Sequence, residues 1–134
     1  MKKLTKEWVN KAEADFVVAN ELRQTRPPVH DARCFHCQQS AEKYLKAILV
    51  ELGASTPRTH NLDDLLGLLL PHCPALRALR RGLIFLTDFA VETRYPGENA
   101  TKRQAEAAWR WATRIRTAVR PLLGLGLSPP RRKE

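Results

Sequence analysis

The sequence predicts a single all-α domain, an up-and-down helical bundle of four long helices plus one short helix. Apolar residues recur at steps of three and four through most of the chain, and no segment alternates with period two over a strand's length. With 134 residues, the chain is long enough for one core. The composition, with 43% hydrophobic and 28% charged residues, argues against a disordered chain.

The first two helices are predicted over residues 4–24 and 31–52. The first is amphipathic and ends at the turn signal Arg26-Pro27-Pro28. The second contains no glycine or proline, and we expect Asp31 to cap it and Gly53 to end it. The apolar positions of the first helix are Leu4, Trp8, Ala12, Phe16, Ala19 and Leu22, and those of the second are Phe35, Ala41, Leu45, Ile48 and Leu49.

The remaining helices are predicted over residues 62–70, 74–91 and 101–123. The first of these is short, and Asn61 has the side chain of an N-cap. The last carries an apolar stripe consisting of Ala105, Ala108, Trp109, Ala112, Ile115, Val119 and Leu122. We therefore assign residues 1–123 to the bundle and residues 124–134 to a basic tail that we expect to be frayed.

Positive charge is concentrated in the second half of the chain. The net charge is +9, of which residues 1–67 carry +1 and residues 68–134 carry +8. Arginine outnumbers lysine by fifteen to eight, and guanidinium groups suit bidentate contacts to phosphate or carboxylate. The excess therefore indicates an anionic partner, with a solvated arginine-rich surface as the alternative.

Several function classes are excluded by composition. No apolar run is long enough for a transmembrane helix, and no apolar segment follows the basic N-terminus as in a secretory signal. Three cysteines cannot all pair within one chain, which suits a reducing compartment, and we expect a cytoplasmic protein. A Rossmann or P-loop nucleotide fold is also excluded, because strands and a phosphate-binding glycine loop are missing from the pattern.

The second helix carries the first candidate site. Gln39, Lys43 and Lys46 share one face, and Glu42 and Lys46 form a favourable i, i+4 pair. The alternative is an ordinary solvated helix face. Cys34 and Cys37 also lie here, but two buried cysteines explain that spacing better than a zinc or redox site, so we predict no metal and no cofactor.

Two further candidates carry positive charge. The last helix has six Lys or Arg residues against Glu106, and Arg103, Arg110 and Arg114 share one side that would attract a phosphate backbone or an acidic protein. A solubilising face is the alternative. His60 and Arg94 lie on two loops and would together suit metal-free phosphodiester cleavage, unless they are only a loop histidine and a capping arginine.

Four segments resemble the HEPN family, the higher eukaryotes and prokaryotes nucleotide-binding domain. In chain order they are Trp8–Asp15, with the pattern Trp-x3-Ala-x2-Asp; Phe35–Ala47, with Gln-Gln-Ser-Ala-Glu-Lys-x-Leu-Lys-Ala; Thr59–Leu62; and Thr93–Pro96. The resemblance covers about residues 4–123. It implies an all-α bundle, a homodimer, binding of nucleotide or RNA, and a minimal nucleotidyltransferase as partner, often within a toxin–antitoxin pair.

The resemblance also implies which residues bind a nucleotide or a partner. In this sequence they are Gln39, Glu42, Lys43, Lys46, His60, Arg94 and Tyr95. The same residues are alternatively a structural signature of the fold, with Glu42 and Arg94 as a buried ion pair.

Some members of the family are metal-independent ribonucleases with a late Arg-x(4–6)-His motif. Here no histidine follows Arg94, and the pair of Arg23 and His30 straddles the Pro27-Pro28 turn instead of lying late in the chain. Enzymatic activity therefore stays open. One alternative is a ribonuclease that uses His60 or His36 with Arg94, and another is a dimeric assembly module without a ligand, since the runs at 65–70 and 83–86 are apolar all round.

Overall fold

The computed structural model describes residues 1–91 and 95–128. Its α-helices are α1 (Lys3–Glu21), α2 (His30–Glu51), α3 (Leu62–Leu69), α4 (Arg80–Thr87) and α5 (Lys102–Leu122). A short 3-10 segment, Leu22–Gln24, follows α1, and another, Pro74–Leu79, precedes α4. The described ranges contain no strand, so the predicted all-α bundle of five helices is confirmed.

The central element is α2, which packs against α1, α3, α4 and α5. Because neighbours surround it, 13 of its 22 residues are buried, among them the polar side chains of Gln38, Glu42 and Lys46. Burying a polar or charged group costs free energy unless the group is hydrogen-bonded. Gln38, Glu42 and Lys46 therefore depend on hydrogen-bond partners inside the bundle.

Leucines from α2, α3 and α4 form the centre of the core, with α1 contributing smaller side chains. Ala12, Phe16 and Ala19 of the predicted first stripe are buried, whereas Leu4 at its beginning is 52% exposed. The largest fully buried apolar side chains are Tyr44, Leu45, Leu49, Leu62, Leu65, Leu66, Leu69, Leu83, Leu86, Ile115 and Val119.

Helix ends are fixed by side-chain caps at α3 and α5. The predicted Asn61 cap is confirmed, since its Oδ1 accepts hydrogen bonds from the amides of Asp63 (3.0 Å) and Asp64 (3.2 Å). Thr101 and Gln104 form a capping box at the start of α5. The prediction for Asp31 was wrong, because α2 begins at His30 without a side-chain cap. Asp31 accepts a hydrogen bond from the amide of Ala100 instead, at 2.6 Å.

The fourth helix is shorter than the predicted 74–91. The first part of the predicted range is a 3-10 segment, Pro74–Leu79, and α4 itself spans Arg80–Thr87. Its end is shaped by Thr87, whose hydroxyl donates to the carbonyl of Leu83 (2.9 Å) and accepts from the amide of Leu62 (3.1 Å). The hydroxyl thus ties the end of α4 to the start of α3, which periodicity alone does not reveal.

Glu13 joins α1, α2 and α5 through a buried charged cluster. It accepts hydrogen bonds from Arg116 (2.6 Å from Nε to Oε1) and from the hydroxyl of Tyr44. Burial lowers the pKa of the Arg116 guanidinium, but the hydrogen bond and the charge of Glu13, together with Tyr44, raise it by more, so the pKa is higher than usual. Burial, and then the bond to Glu13, raises the pKa of Tyr44 to about 12. Arg116 also donates to the carbonyls of Leu127 (2.6 Å) and Ser128 (3.0 Å), within the predicted tail.

Candidate functional site

Glu42 is the centre of a buried polar network on α2. Its side chain is 4% exposed and accepts hydrogen bonds from Gln38 (3.2 Å) and Lys46 (3.1 Å). Its Oε1 also lies 2.8 Å from Nδ1 of His60, which belongs to the loop before α3. Three partners compensate the desolvation of this carboxylate, so the network is self-sufficient within the bundle.

His60 is the exposed member of this network. Its side chain is 67% exposed, while the carboxylate that holds its Nδ1 atom is buried. Gln38 fixes the loop as well, since its side-chain amide donates to the carbonyl of His60 at 3.1 Å. A carboxylate at Nδ1 sets the tautomer and the orientation of an imidazole, and Nε2 is then the nitrogen that exchanges a proton with a ligand.

The remaining predicted residues of this site take different positions. Lys46 is buried, with its ammonium 5.5 Å from the ring of Trp8, and Gln39 donates to Gln38 at 2.7 Å. Lys43 bonds to Asp15. Tyr95 is 78% exposed.

Arg94 lies outside the described residues, so the hypothesis of a Glu42–Arg94 pair lies outside them as well. The partners observed for Glu42 come from α2 and from the loop before α3. The polar side chains that α2 contributes to this network are therefore engaged internally, whereas His60, from the loop before α3, is accessible.

A second histidine–carboxylate pair lies between α1 and α2. Nδ1 of His36 is 2.8 Å from Oδ1 of Asp15, and Lys43 binds the other oxygen of the same carboxylate. Asp15 is 11% exposed and His36 is 23% exposed. This pair is less accessible than His60, and together with Lys43 it links α1 to α2.

The cysteines have the properties of core residues. Cys34 and Cys37 are buried, and burial together with Cys34 raises the pKa of the Cys37 thiol to about 12. A thiol with such a pKa stays protonated near neutral pH and is a poor nucleophile and a poor metal ligand. Within residues 1–91 and 95–128, no group of three or more metal-ligating side chains is close enough to hold a metal ion. None of the helices in those ranges is both long and apolar enough to span a membrane.

A basic groove runs between the α1–α2 connection and the first half of α5. It consists of three adjoining hollows, and one of them has a volume of about 360 Å³, within the range of small-molecule sites. Glu106 lines all three of them. The cationic side chains that line the groove are Arg23, Arg26, Arg33, Lys102, Arg103 and Arg110.

Sequence reasoning found only part of this groove. It singled out Arg103 and Arg110 on α5, but it missed the contribution of the α1–α2 connection, because the adjacency of the two segments is a property of the fold. One wall of the groove is aromatic. The ring of Trp109 stacks on Phe16, with 4.7 Å between the centroids, and the guanidinium carbon of Arg23 lies 5.0 Å from the centroid of Trp109. The sequence does contain one signal for this part of the groove, because Arg23, Arg26 and Arg33 lie close together along the chain.

The other three arginines of α5 do not line the groove and contact other residues. Arg114 stacks on Trp111, with 4.5 Å between the guanidinium carbon and the ring centroid. Arg116 and Arg120 turn inward to Glu13. The basic last helix is therefore divided into a half that lines the groove and a half that stabilises the bundle.

Arg33 forms the floor of the basic groove and lacks a partner. The residue is 7% exposed, and its Nε atom is buried without a hydrogen bond. Among the described acidic residues, none lies within ion-pair distance of its guanidinium. A buried charge without compensation is costly, which sets Arg33 apart from Arg116.

Comparison with known proteins identifies one family and one solved structure. The family model described as the HEPN domain matches residues 5–122. TT1696 from Thermus thermophilus, known from a crystal structure, is 23% identical, with a TM-score of 0.72 over 85% of this chain and 94% of that chain. At this identity the likeness concerns the fold. Among curated proteins, none is similar enough to count as a match.

Proposed function

We propose that this chain, which belongs to the HEPN domain family, binds the phosphate groups of a nucleotide or an RNA. One observation carries the proposal: six cationic side chains from two separate segments converge on one groove, against the single acidic residue Glu106. Convergent Lys and Arg side chains bind phosphates through charge-assisted hydrogen bonds and the release of counterions. Three free cysteines support a reducing, cytoplasmic setting for this activity.

Charge reversal in the groove tests the proposal. We expect the double substitution Arg103→Glu and Arg110→Glu to weaken binding of labelled RNA or ATP at least tenfold, because both side chains are exposed and line the groove. The matched control is Arg58→Glu with Arg81→Glu, which changes the net charge equally at two exposed positions that do not line the groove. Fluorescence anisotropy measures both. Equal weakening by the two pairs, or no binding by the wild type, contradicts the proposal.

Within this function, the residues implied by the family resemblance have two roles. We propose that His60, Gln39, Lys43, Arg94 and Tyr95 face the nucleotide or the partner, and that Glu42 and Lys46 position His60 from behind. Support comes from the exposure of His60 on a buried carboxylate.

A second candidate function is metal-independent cleavage of RNA, which the Glu42–His60 pair favours. A histidine with Nδ1 held at 2.8 Å by a buried carboxylate and with its ring exposed suits general acid–base chemistry. We expect cleavage in EDTA that falls at least 100-fold in His60→Ala and that also falls in Arg94→Ala. His72→Ala, at another exposed histidine, serves as the control, and His30→Ala tests the histidine that shares a hollow with Arg23. Unchanged cleavage in both His60→Ala and Arg94→Ala rules this candidate out.

The finer proposals concern partners. We propose a homodimer and a minimal nucleotidyltransferase as partner, with this chain as the toxin component of a toxin–antitoxin pair. Leu68 of α3 and Ile84 of α4, which are 46% and 47% exposed, support an apolar contact surface. Light scattering measures the mass, and co-purification with the product of an adjacent nucleotidyltransferase gene tests the pairing. A monomer at micromolar concentration, or no complex, contradicts the respective proposal.

A further inference from the structure

We propose that the basic groove is a site for a terminal phosphate, with Arg33 as its anchor, so that it binds the phosphate end of a nucleotide or of an RNA. This inference rests on the proposed function and makes it specific. A terminal phosphate carries close to two negative charges at neutral pH and offers three acceptor oxygens.

Arg33 is recessed in the groove. It is the fourth residue of α2, and the residue as a whole is 7% exposed. The phosphodiester backbone of an RNA strand would run along the exposed rim, where Lys102, Arg103 and Arg110 are located. Only a protruding group such as a terminal phosphate reaches a recessed guanidinium.

Arg33 has no anionic partner in the free protein. Its buried Nε atom makes no hydrogen bond, and a buried cation without an acidic partner among the described residues lowers stability. An anion in the groove would supply the compensation. Arg116 is similarly buried, but its guanidinium has partners within the protein, because it donates hydrogen bonds to Glu13 and to two backbone carbonyls.

The walls of the groove hold a second guanidinium beside Arg33. Arg23 is held over the face of Trp109, and Trp109 is itself stacked on Phe16, so this guanidinium is pre-positioned beside Arg33 in two of the hollows. Two guanidinium groups provide the planar, bidentate donors that phosphate oxygens accept well. Arg110 and Lys102 close the groove from α5.

The site is separate from the Glu42–His60 pair. Arg33 and Glu42 are nine residues apart on α2, which places them about 13 Å apart along the helix axis and on opposite sides of it. A substitution that removes one of the two sites should therefore leave the other site intact.

The decisive variant is Arg33→Met, which replaces an unpaired buried cation with an apolar side chain of similar length. We expect the free protein to be at least as thermostable as the wild type, whereas a structural arginine would lower the melting temperature when replaced. We expect at least one phosphate-terminated ligand, ATP or a 5′-phosphorylated RNA oligonucleotide, to raise the melting temperature of the wild type but not that of Arg33→Met, and adenosine to raise neither. Arg58→Met, which removes one exposed charge outside the groove, is the control and should respond to ATP like the wild type.

Calorimetric titration with defined probes separates the sources of the phosphate. The probes are inorganic phosphate, ATP, and one RNA oligonucleotide with either a 5′-phosphate or a 5′-hydroxyl. We expect Arg33→Met to weaken binding of at least one phosphate-terminated probe tenfold or more, with ATP identifying a free nucleotide and the 5′-phosphate RNA identifying an RNA end. Arg110→Met, at an exposed position of the rim, should weaken the same probe and provides a second variant that does not disturb the core.

Two results would overturn the inference in different ways. If the wild type binds both RNA forms equally and does not bind ATP, the proposed function stands and the terminal-phosphate site is refuted. If the wild type binds none of the probes at low salt, the proposed function fails as well.

Discussion

Arginine side chains occupy three different environments in this protein, and their surroundings decide what each one does. Arg116 is buried and bonds to Glu13, Arg80 is exposed and pairs with Asp63 at 3.1 Å, and Arg33 is buried without a partner. The first environment stabilises the bundle, the second contributes little because water and salt screen it, and the third requires a ligand or costs stability.

Substitution of Glu13 tests the first of these environments. We expect Glu13→Gln to lower the free energy of unfolding by about 3 kcal/mol, because Arg116 would remain buried without its carboxylate. Asp63→Asn removes the exposed pair with Arg80 and should change the free energy of unfolding far less, because water and salt screen that pair. Urea unfolding followed by circular dichroism measures both, and similar effects of the two substitutions would contradict this account.

Thiol reactivity tests the environment of the cysteines. At pH 8 we expect Ellman's reagent to modify one thiol quickly, that of the half-buried Cys73, and the buried Cys34 and Cys37 only on unfolding. Cys73→Ser should abolish the fast phase. Since burial and Cys34 raise the pKa of Cys37 from 9.0 to about 12, the folded state holds this proton longer than the unfolded chain. Stability should therefore fall as pH rises through that interval, and equal reactivity of all three thiols would contradict the assignment.

Contacts within one or two helical turns were the ones that the sequence predicted well. The cap at Asn61 and the Glu42–Lys46 pair, at 3.1 Å, are both observed. Arg116 and Glu13, in contrast, are 103 residues apart in the chain. Partners of that kind depend on how α1, α2 and α5 pack, so neither the satisfied Arg116 nor the unsatisfied Arg33 could be recognised from periodicity.

At the level of helices, the long elements were easier to predict than the short ones. The ends of α1, α2 and α5 agree with the predicted ranges to within a few residues, because each has a sustained apolar period. The region 74–91 also has a sustained apolar period, but a 3-10 segment occupies its first part and α4 ends at Thr87. Tertiary bonds, such as that from the amide of Leu62 to Thr87, fix such boundaries.

The contact between α4 and α5 depends on a glycine. A Cβ atom at Gly82 would lie 2.1 Å from the ring of Trp111, so we expect Gly82→Ala to lower the free energy of unfolding by about 1–3 kcal/mol. Gly67 in α3 is the matched control, because a Cβ atom there meets nothing within 4 Å. Gly67→Ala should raise stability by up to about 1 kcal/mol through helix propensity. Thermal unfolding distinguishes them, and a stabilising Gly82→Ala would show that Trp111 moves aside easily.

In the whole molecule, the positive charge of both halves of the chain contributes to the basic groove. The basic half supplies Lys102, Arg103 and Arg110 to the groove, but the nearly neutral half supplies Arg23, Arg26 and Arg33. The small net charge of the first half therefore understated how many cationic side chains that half contributes to the groove. The family assignment from four short segments is confirmed over residues 5–122. It identified α2 as important but gave no indication of the groove on the opposite side of that helix.

The salt dependence of RNA binding follows from this location. Each single-stranded phosphate that is neutralised contributes about −0.7 to the slope of log K against log salt concentration, so six groove cations limit the slope to no steeper than about −4. Replacing Arg103 and Arg110 with glutamine should make the slope shallower by about 1.4, because two phosphate contacts are lost. Fluorescence anisotropy between low and physiological salt measures the slope.

Lysines at the other end of α1 provide the matched control for this measurement. Lys3 and Lys6 are exposed, and the length of α1 separates them from Arg23 by about 25–30 Å, which is beyond the screening length at physiological salt. Replacing both with glutamine removes the same total charge as the groove pair. If binding responds to overall charge alone, the two double variants will have equal slopes. If the groove is the site, the lysine variant will keep the wild-type slope, because counterions are released only where phosphates are in contact.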